Sequence, residues 1–391
     1  MKTSVLRFFI HIRATHSIWG GDLSVIHSLR DGLVENGHEV LIDSQLELSL
    51  DFDVIMLTNS CQNKQEEARF LKANGREYFI LTFHEDFLGY MPSCIGFCEH
   101  INGLVKGTIN LPVPATLEYL EQNPSICRYY QTRIKLSGVG NGEVLNNALA
   151  AFPSSSFESQ TIARDAPFCK AKVVLVPTIP SEWQSREADR SFSSIYDLPK
   201  NYILQVGRLE PRKNQIGTVL AVRDLDIPLV FVATAGGPSW YQNLLANVIL
   251  KYRKYPTYII SQGLDALTVG NLKISAMEER KKLPPEILLS AYLEAAVNVH
   301  PAFHELPGLT YLESLALGLP TVCSAWTGVS EYIVGDKPGN GINFVNPESI
   351  SEIRNATLHA LSVGKPTGIH IPGISPNRFA AEITSNVIAS L

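Results

Sequence analysis

Ala296-Val-Asn-Val-His300 runs directly into Pro301-Ala-Phe-His-Glu305-Leu-Pro-Gly308-Leu309-Thr310-Tyr-Leu-Glu313, and then into Ser-Leu-Ala-Leu-Gly318-Leu-Pro320. The first five residues read as a short buried strand. Beyond the Pro-Gly pair, Leu309, Leu312, Leu315 and Ala316 recur at helical spacing, and Gly318 with Pro320 ends the run. A strand therefore feeds a turn, and the turn feeds a helix whose first amides have no acceptor within the helix. Those amides and the positive end of the helix dipole attract an anion. Glu305 precedes the helix and Glu313 lies about one turn inside it. Carboxylates repel phosphate but accept hydrogen bonds from sugar hydroxyls. The spacing suits a ligand with a sugar, a phosphate and a second sugar, the chemistry of a nucleotide-sugar.

At 391 residues the chain is long for one domain. Pro177-Thr-Ile-Pro180 and the aperiodic polar stretch Ser181–Pro199 divide it. The expected units are 1–180, 181–375 and a C-terminal helix in 376–391 with room to pack back on the first unit. A net charge of -5 gives no general reason to expect a nucleic-acid partner. The apolar run Val5–Ile12 is interrupted by Arg7 and His11, so it reads as a first strand and not a secretion signal. No apolar run approaches the ~18 residues of a membrane span. Six scattered cysteines suit a reduced, cytoplasmic protein. Cys94, Cys98 and His100 have loose metal-ligand spacing, but without a matching second pair they read as ordinary thiols, and no metal is expected.

In the first half, Val5–Ile12 leads through Gly20-Gly21 to a helix-patterned run containing Leu23, Ile26, Leu29 and Leu33, closed by Gly37. His38–Ile42 returns as a strand. Strand, glycine turn, helix and strand open a Rossmann-like doubly wound sheet, although Gly-x-Gly-x-x-Gly is absent. Asp53–Leu57 and Tyr78–His84 read as strands around a polar helix over Asn63–Asn74. His84 stands at a strand's carboxyl end, where ligands of open α/β sheets gather. Phe87–Asn147 is weakly patterned. Within it, Arg128–Lys135 interleaves aromatic and basic residues, either an exposed helix face or a contact with an anionic acceptor or membrane, and Gly138–Gly142 reads as a loop. Ala148–Phe152 and Lys172–Pro177 read as strands, with a serine-capped helix starting near Ser154.

The second half restarts the alternation. Tyr202–Gly207 is strand-like and leads into Arg208-Leu-Glu-Pro-Arg-Lys213-Asn214 and a helix through Ala221. Pro228–Ala233, Thr321–Cys323 and Gly341–Val345 read as further strands. Gly236-Gly-Pro238 opens a helix, and others span Pro284–Ala296, 347–361 and 378–391.

Four stretches in this order resemble the retaining glycosyltransferases of family four: Gly20-Gly21 with Gly37-His38-Glu-Val, Gly207–Asn214, Leu283-Pro-Pro-Glu-Ile with Ala291-Tyr292 and Ala295, and Glu305 to Glu313. The resemblance implies an α/β GT-B fold, two Rossmann-like domains facing across a cleft, with acceptor and donor domains in that order. It implies transfer of a sugar from a UDP-, GDP- or ADP-sugar to a glycan, lipid-linked or small-molecule acceptor, with retention and without a metal or other cofactor. By this resemblance Arg208 and Lys213 hold the donor diphosphate. The cations suit a site that must neutralise a leaving group without a metal. Likewise the Gly308-Leu309-Thr310 turn and its amides contact the diphosphate, Glu313 the ribose and Glu305 the transferred sugar. His84 lies near the reacting sugar, and Gly20-Gly21 close over phosphate or acceptor.

Pro307 departs from the family's usual Glu-Gly-Phe-Gly and removes one donor amide. Base recognition is expected from a loop near Lys273–Met277. The same residues also fit another GT-B activity, epimerisation or phosphorolysis, or a non-catalytic nucleotide-sugar-binding module, and peripheral contact with the inner face of the membrane is compatible with them.

Overall fold

Short runs of β-branched and aromatic residues make the strands of the first half, with successive side chains turned to opposite faces. The computed structural model describes residues 5–12, 20–107, 141–178, 191–233, 237–261, 264–277, 283–333, 341–365 and 373–391. β1 (Arg7–His11), β2 (Glu39–Asp43), β3 (Val54–Thr58), β4 (Phe79–Leu81) and β5 (Ala151–Phe152) form a parallel sheet in the order β2-β1-β3-β4-β5. Phe8, Ile10, Val54 and Met56 join one apolar core, while Phe9, Ile55 and Leu57 join another.

The second sheet comprises β6 (Ile203–Val206), β7 (Leu229–Ala233), β8 (Thr257–Ser261), β9 (Leu267–Val269), β10 (Leu272–Ala276), β11 (Val297–His300), β12 (Thr321–Ser324) and β13 (Ile342–Val345). Its order is β13-β12-β11-β6-β7-β8-β10-β9, with β9 antiparallel to β10 and the other ladders parallel.

Each sheet reverses direction around one strand. β1 lies between β2 and β3, and β6 lies between β7 and β11. Loops leaving the carboxyl ends of strands at such a switch point diverge and leave a crevice for ligand. The loop after β6 carries Arg208 and Lys213, and the loop after β11 carries Glu305 to Gly308. The helix Gly21–Glu35 begins at Gly20, after β1. A Cβ on Gly21 would lie 3.0 Å from Leu309 Cδ1, so the glycine turn of the first half abuts the helix Leu309–Ala316 of the second.

Several expectations need correction. Lys172–Pro177 runs beside Ala151–Pro153 through its backbone but is no sheet strand; only Ala171 bridges to Ala151. Lys273–Met277 is not a loop, since Leu272–Ala276 is β10. The weakly patterned region contains a long helix, Phe87–Lys106. It is capped by Asp86, whose side chain accepts from the Gly89 amide at 3.1 Å, and ends at Gly107 with φ 76°. Cys98 and Ile101 on it pack with Ile216, Tyr241 and Leu245 of the second half. Lys251 donates to the Val105 carbonyl at 2.8 Å, holding the helix end. Arg128–Lys135, most of Gly138–Gly142, and Gly236 lie outside the described residues.

The helix Pro376–Ile388 joins the first half's core through Phe379, Ala380, Ile383 and Val387, beside Leu23, Ile26, Leu29 and Leu33. Gly32 permits the close approach: a Cβ there would fall 2.1 Å from the Pro376 carbonyl oxygen and 2.9 Å from Ala380 Cβ. Gly32→Ala is therefore expected to destabilise the fold by about 2–3 kcal/mol through overpacking, read by urea unfolding. A loss below about 0.5 kcal/mol would show that the helix pair can separate without penalty.

Candidate active site

The loop after β6 is anchored from below. Gln205 donates to the Lys213 carbonyl at 2.7 Å and accepts from the Thr218 hydroxyl at 2.8 Å. Gln215 donates to the Arg208 carbonyl at 2.7 Å. Asn214, in the left-handed region at φ 56°, caps the helix Gln215–Ala221 by accepting from the Gly217 amide at 3.1 Å. Its amide group also donates to the Pro301 carbonyl at 3.0 Å. Asn214 thus ties the loop after β6 to the loop after β11, closing the crevice floor.

On that floor Lys213 Nζ pairs directly with Glu305 Oε1. Glu305 is buried and Lys213 nearly so. Burial draws the lysine pKa down against the pull of Glu305. Burial pushes the Glu305 carboxyl up, but Lys213 and Arg212 outweigh it and hold the group below its usual range. Arg208 is half-buried with Nη2 3.4 Å from Glu210 Oε1. The helix Leu309–Ala316 starts after Gly308, which has φ 86°. A Cβ on Gly308 would fall 2.2 Å from the Tyr311 ring, so only glycine fits. Leu306–Pro307 is a cis peptide. Glu313 accepts from the Tyr292 hydroxyl at 2.8 Å.

Three contributors were not named from sequence. Arg212 is buried; it donates to Glu210 at 3.0 Å and to the His304 carbonyl at 3.1 Å, and it lies 3.7 Å from Glu305 and 4.0 Å from Glu85. It therefore joins the two halves. His304 stacks on Tyr90 with ring centroids 5.0 Å apart, and its Nε2 accepts from the Asp86 amide at 3.4 Å. Burial lowers its pKa to about 4, so the ring is neutral and able to accept. His300 ends β11 fully buried, with burial and then Lys213 lowering its pKa to about 3. These roles arise from contacts between distant segments, and no local spacing announces them.

His84 is buried in the first half. Its Nδ1 meets Ser60 Oγ at 3.0 Å, its Nε2 meets Asp165 Oδ2 at 3.0 Å, and its amide donates to Glu158. Both ring nitrogens are engaged there, while the following residues Glu85 and Asp86 reach Arg212 and His304. Asp165 also accepts two bonds from Arg164. Against burial, His84 and Arg164 hold the Asp165 carboxyl down at about 2, below the usual 3.8. A depressed carboxylate stabilises fully above its unfolded pKa, and that contribution fades as the pH falls from about 4 through 2. Urea midpoints at pH 5 and pH 3 should therefore fall further in the parent than in Asp165→Asn. Equal falls would show that the network contributes nothing.

A second contact joins the halves. Glu331 accepts from the Ser156 and Phe157 amides at 2.7 and 3.1 Å, capping the helix Ser156–Asp165 from across the cleft. Elsewhere, a cavity of about 480 Å³ lined by Arg69, Lys72, Arg76 and Glu143 opens beside Tyr78. It lies at the opposite, amino-terminal edge of the sheet and shares no residue with the crevice.

Residues 280–362 match the family model described as glycosyl transferases group 1. That segment contains Glu305, the turn at Gly308 and Glu313, while Arg208 and Lys213 precede it. A curated relative, O-antigen chain mannosyltransferase B of Escherichia coli, is 28% identical over 148 residues, which is 35% of this chain and 32% of the relative. The match thus spans about a third of that protein's length.

Anabaena HepE, solved in complex with UDP and glucose, superposes with TM-score 0.60 at 13% identity, covering 99% of this chain and 100% of that one. Sucrose-phosphate synthase from Thermosynechococcus elongatus superposes with TM-score 0.56 at 13% identity, with coverages of 99% and 100%. At such identities the likeness is one of fold, and the fold is GT-B. Among the described residues, no helix is long and apolar enough to cross a membrane.

Proposed function

We propose that the chain is a retaining glycosyltransferase that moves a sugar from a nucleotide-diphosphate sugar to a glycan or lipid-linked glycan. One observation carries this reading. Lys213 and Glu305 meet at the switch point between β6 and β11, directly before the helix Leu309–Ala316. A cation, a helix N-terminus and a carboxylate then stand where a diphosphate and its sugar belong. The group 1 segment and the mannosyltransferase relative support the same chemistry, and the relative's O-antigen product supports a glycan acceptor.

In this scheme Lys213 and Arg208 leave their carboxylate partners for the diphosphate and neutralise charge as it departs. The first amides of the helix Leu309–Ala316 contact the same group. Glu313, held by Tyr292, accepts from the ribose, and Glu305 accepts from hydroxyls of the transferred sugar. Gly20 and Gly21 close the crevice from the other half. His84 contacts the sugar only after giving up Ser60 or Asp165; otherwise it fixes the loop after β4 that carries Glu85 and Asp86. No metal is required, because cations and amides supply the neutralisation.

The test is incubation with UDP-, GDP- and ADP-sugars, with and without glycan acceptors, with NMR assignment of the product anomer. Transfer with the donor's configuration kept, insensitive to EDTA, is expected. An inverted product, epimer formed without acceptor, phosphate-dependent cleavage, or tight binding without turnover would each replace this reading with another.

A further inference from the structure

We infer that His300 is a positioning residue for Glu305, a neutral N–H donor that takes over the carboxylate when Lys213 turns to the diphosphate. The role presupposes the donor-site reading above and adds a residue to it.

His300 is completely buried at the carboxyl end of β11. Its ring is fixed on two sides: Nδ1 lies 3.0 Å from Thr310 Oγ1, and the Tyr311 ring packs edge-on with centroids 5.2 Å apart. Tyr311 also donates its hydroxyl to the His300 carbonyl at 2.7 Å, pinning the backbone. The remaining nitrogen, Nε2, has no hydrogen-bond partner among the described residues. It points toward Glu305, 3.6 Å from Oε1, too far for a bond. A polar atom so deeply buried without a partner is costly unless another state satisfies it.

The tautomer follows from the surroundings. Glu305 is ionised, and a lone pair aimed at a carboxylate would be repelled. Nε2 therefore carries the hydrogen, and the Thr310 hydroxyl donates to Nδ1. The loop after β6 lies close to the ring: a Cβ on Gly207 would be 3.6 Å from His300 Cε1 and 3.7 Å from Lys213 Cδ. While Lys213 holds Glu305, His300 waits. Once a diphosphate draws the ammonium away, a small shift of the carboxylate closes the gap to Nε2. Glu305 then stays ionised and aimed at sugar hydroxyls, with Nε2 taking the place of Lys213 beside Arg212.

The test separates binding from turnover. UDP and GDP binding by calorimetry, and turnover with the matching nucleotide-sugars, are measured for the parent, His300→Phe, His300→Gln and His300→Asn. Phenylalanine keeps the ring contact without the donor, glutamine places an N–H near the Nε2 position, and asparagine does not reach it. The expected result is nucleoside diphosphate affinity within about threefold throughout, kcat reduced about 10–100-fold in the Phe and Asn variants, and recovery in the Gln variant. If the Phe variant does not fold, the Gln–Asn contrast reads the same quantity. Parent-like kcat without the N–H would overturn the role of His300 alone, as would affinity and kcat falling together. A parent protein that binds no nucleoside diphosphate would overturn the donor site as well.

Discussion

Lys213→Ala is expected to lower sugar transfer by about 10²–10³-fold, the scale for removing one preorganised group that stabilises developing charge. It should also cost about 3 kcal/mol of stability, because a buried ion pair broken from one side leaves a charge without its partner. The neighbouring Arg212, 3.7 Å from Glu305, keeps that cost at the low end of the range. The two effects separate in the double variant Lys213→Met with Glu305→Gln. Removing both charges should restore most of the stability, since isosteric neutral pairs tolerate burial well, but should restore none of the transfer. Urea unfolding and turnover with a nucleotide-sugar measure the two quantities on the same preparations. A double variant that regains transfer would mean the pair is structural and the chemistry lies elsewhere.

Arg212→Met is expected to be the more damaging change to the fold, by about 3–5 kcal/mol. Its guanidinium is held by Glu210 and the His304 carbonyl and lies near Glu85 and Glu305, so its loss leaves buried carboxylates facing one another across the two halves. Arg212→Lys should not rescue it, because an ammonium cannot serve these directions at once. Adding Glu210→Gln should recover part of the loss. Whatever activity survives should show its acid limb at higher pH: without Arg212 the Glu305 carboxyl loses a cation and its pKa rises. An unmoved acid limb, or a lysine variant of parent stability, would contradict this placement of Arg212.

Much of the fold was legible because buried parallel strands are short apolar runs bounded by turn residues. β3, β6, β7 and β11 all have that form. β8 to β10 did not register. Leu272-Lys-Ile-Ser-Ala276 alternates with polar residues one strand in from the sheet's edge, and the edge strand Leu267–Val269 is exposed throughout. Phe87–Lys106 was missed for the opposite reason. It is apolar on most of its surface and carries Pro92, so no amphipathic period appears, because it lies between the two halves. Lys172–Pro177 has strand composition because Val174 and Val176 are buried, yet it borders β5 without joining the sheet.

Within the candidate site, the helix start framed by Glu305 and Glu313 could be read from a local pattern, whereas Lys213 and Gly308 entered through the family resemblance. Arg212, His300 and His304 could be read from neither, since their functions depend on which residues from other segments meet them. For His84 the sequence put the strand end too late: β4 stops at Leu81, His84 lies three residues beyond it, and its ring is already committed to Ser60 and Asp165.

The central claim is that the crevice between β6 and β11 holds the diphosphate of a nucleotide-sugar. Calorimetric titration of the parent and of the Lys213→Met, Glu305→Gln double variant with UDP, GDP and ADP tests it most directly. The expected result is binding of at least one nucleoside diphosphate by the parent and loss of about tenfold or more in affinity in the folded double variant. Absence of binding for all three, or equal affinity in the double variant, would contradict it.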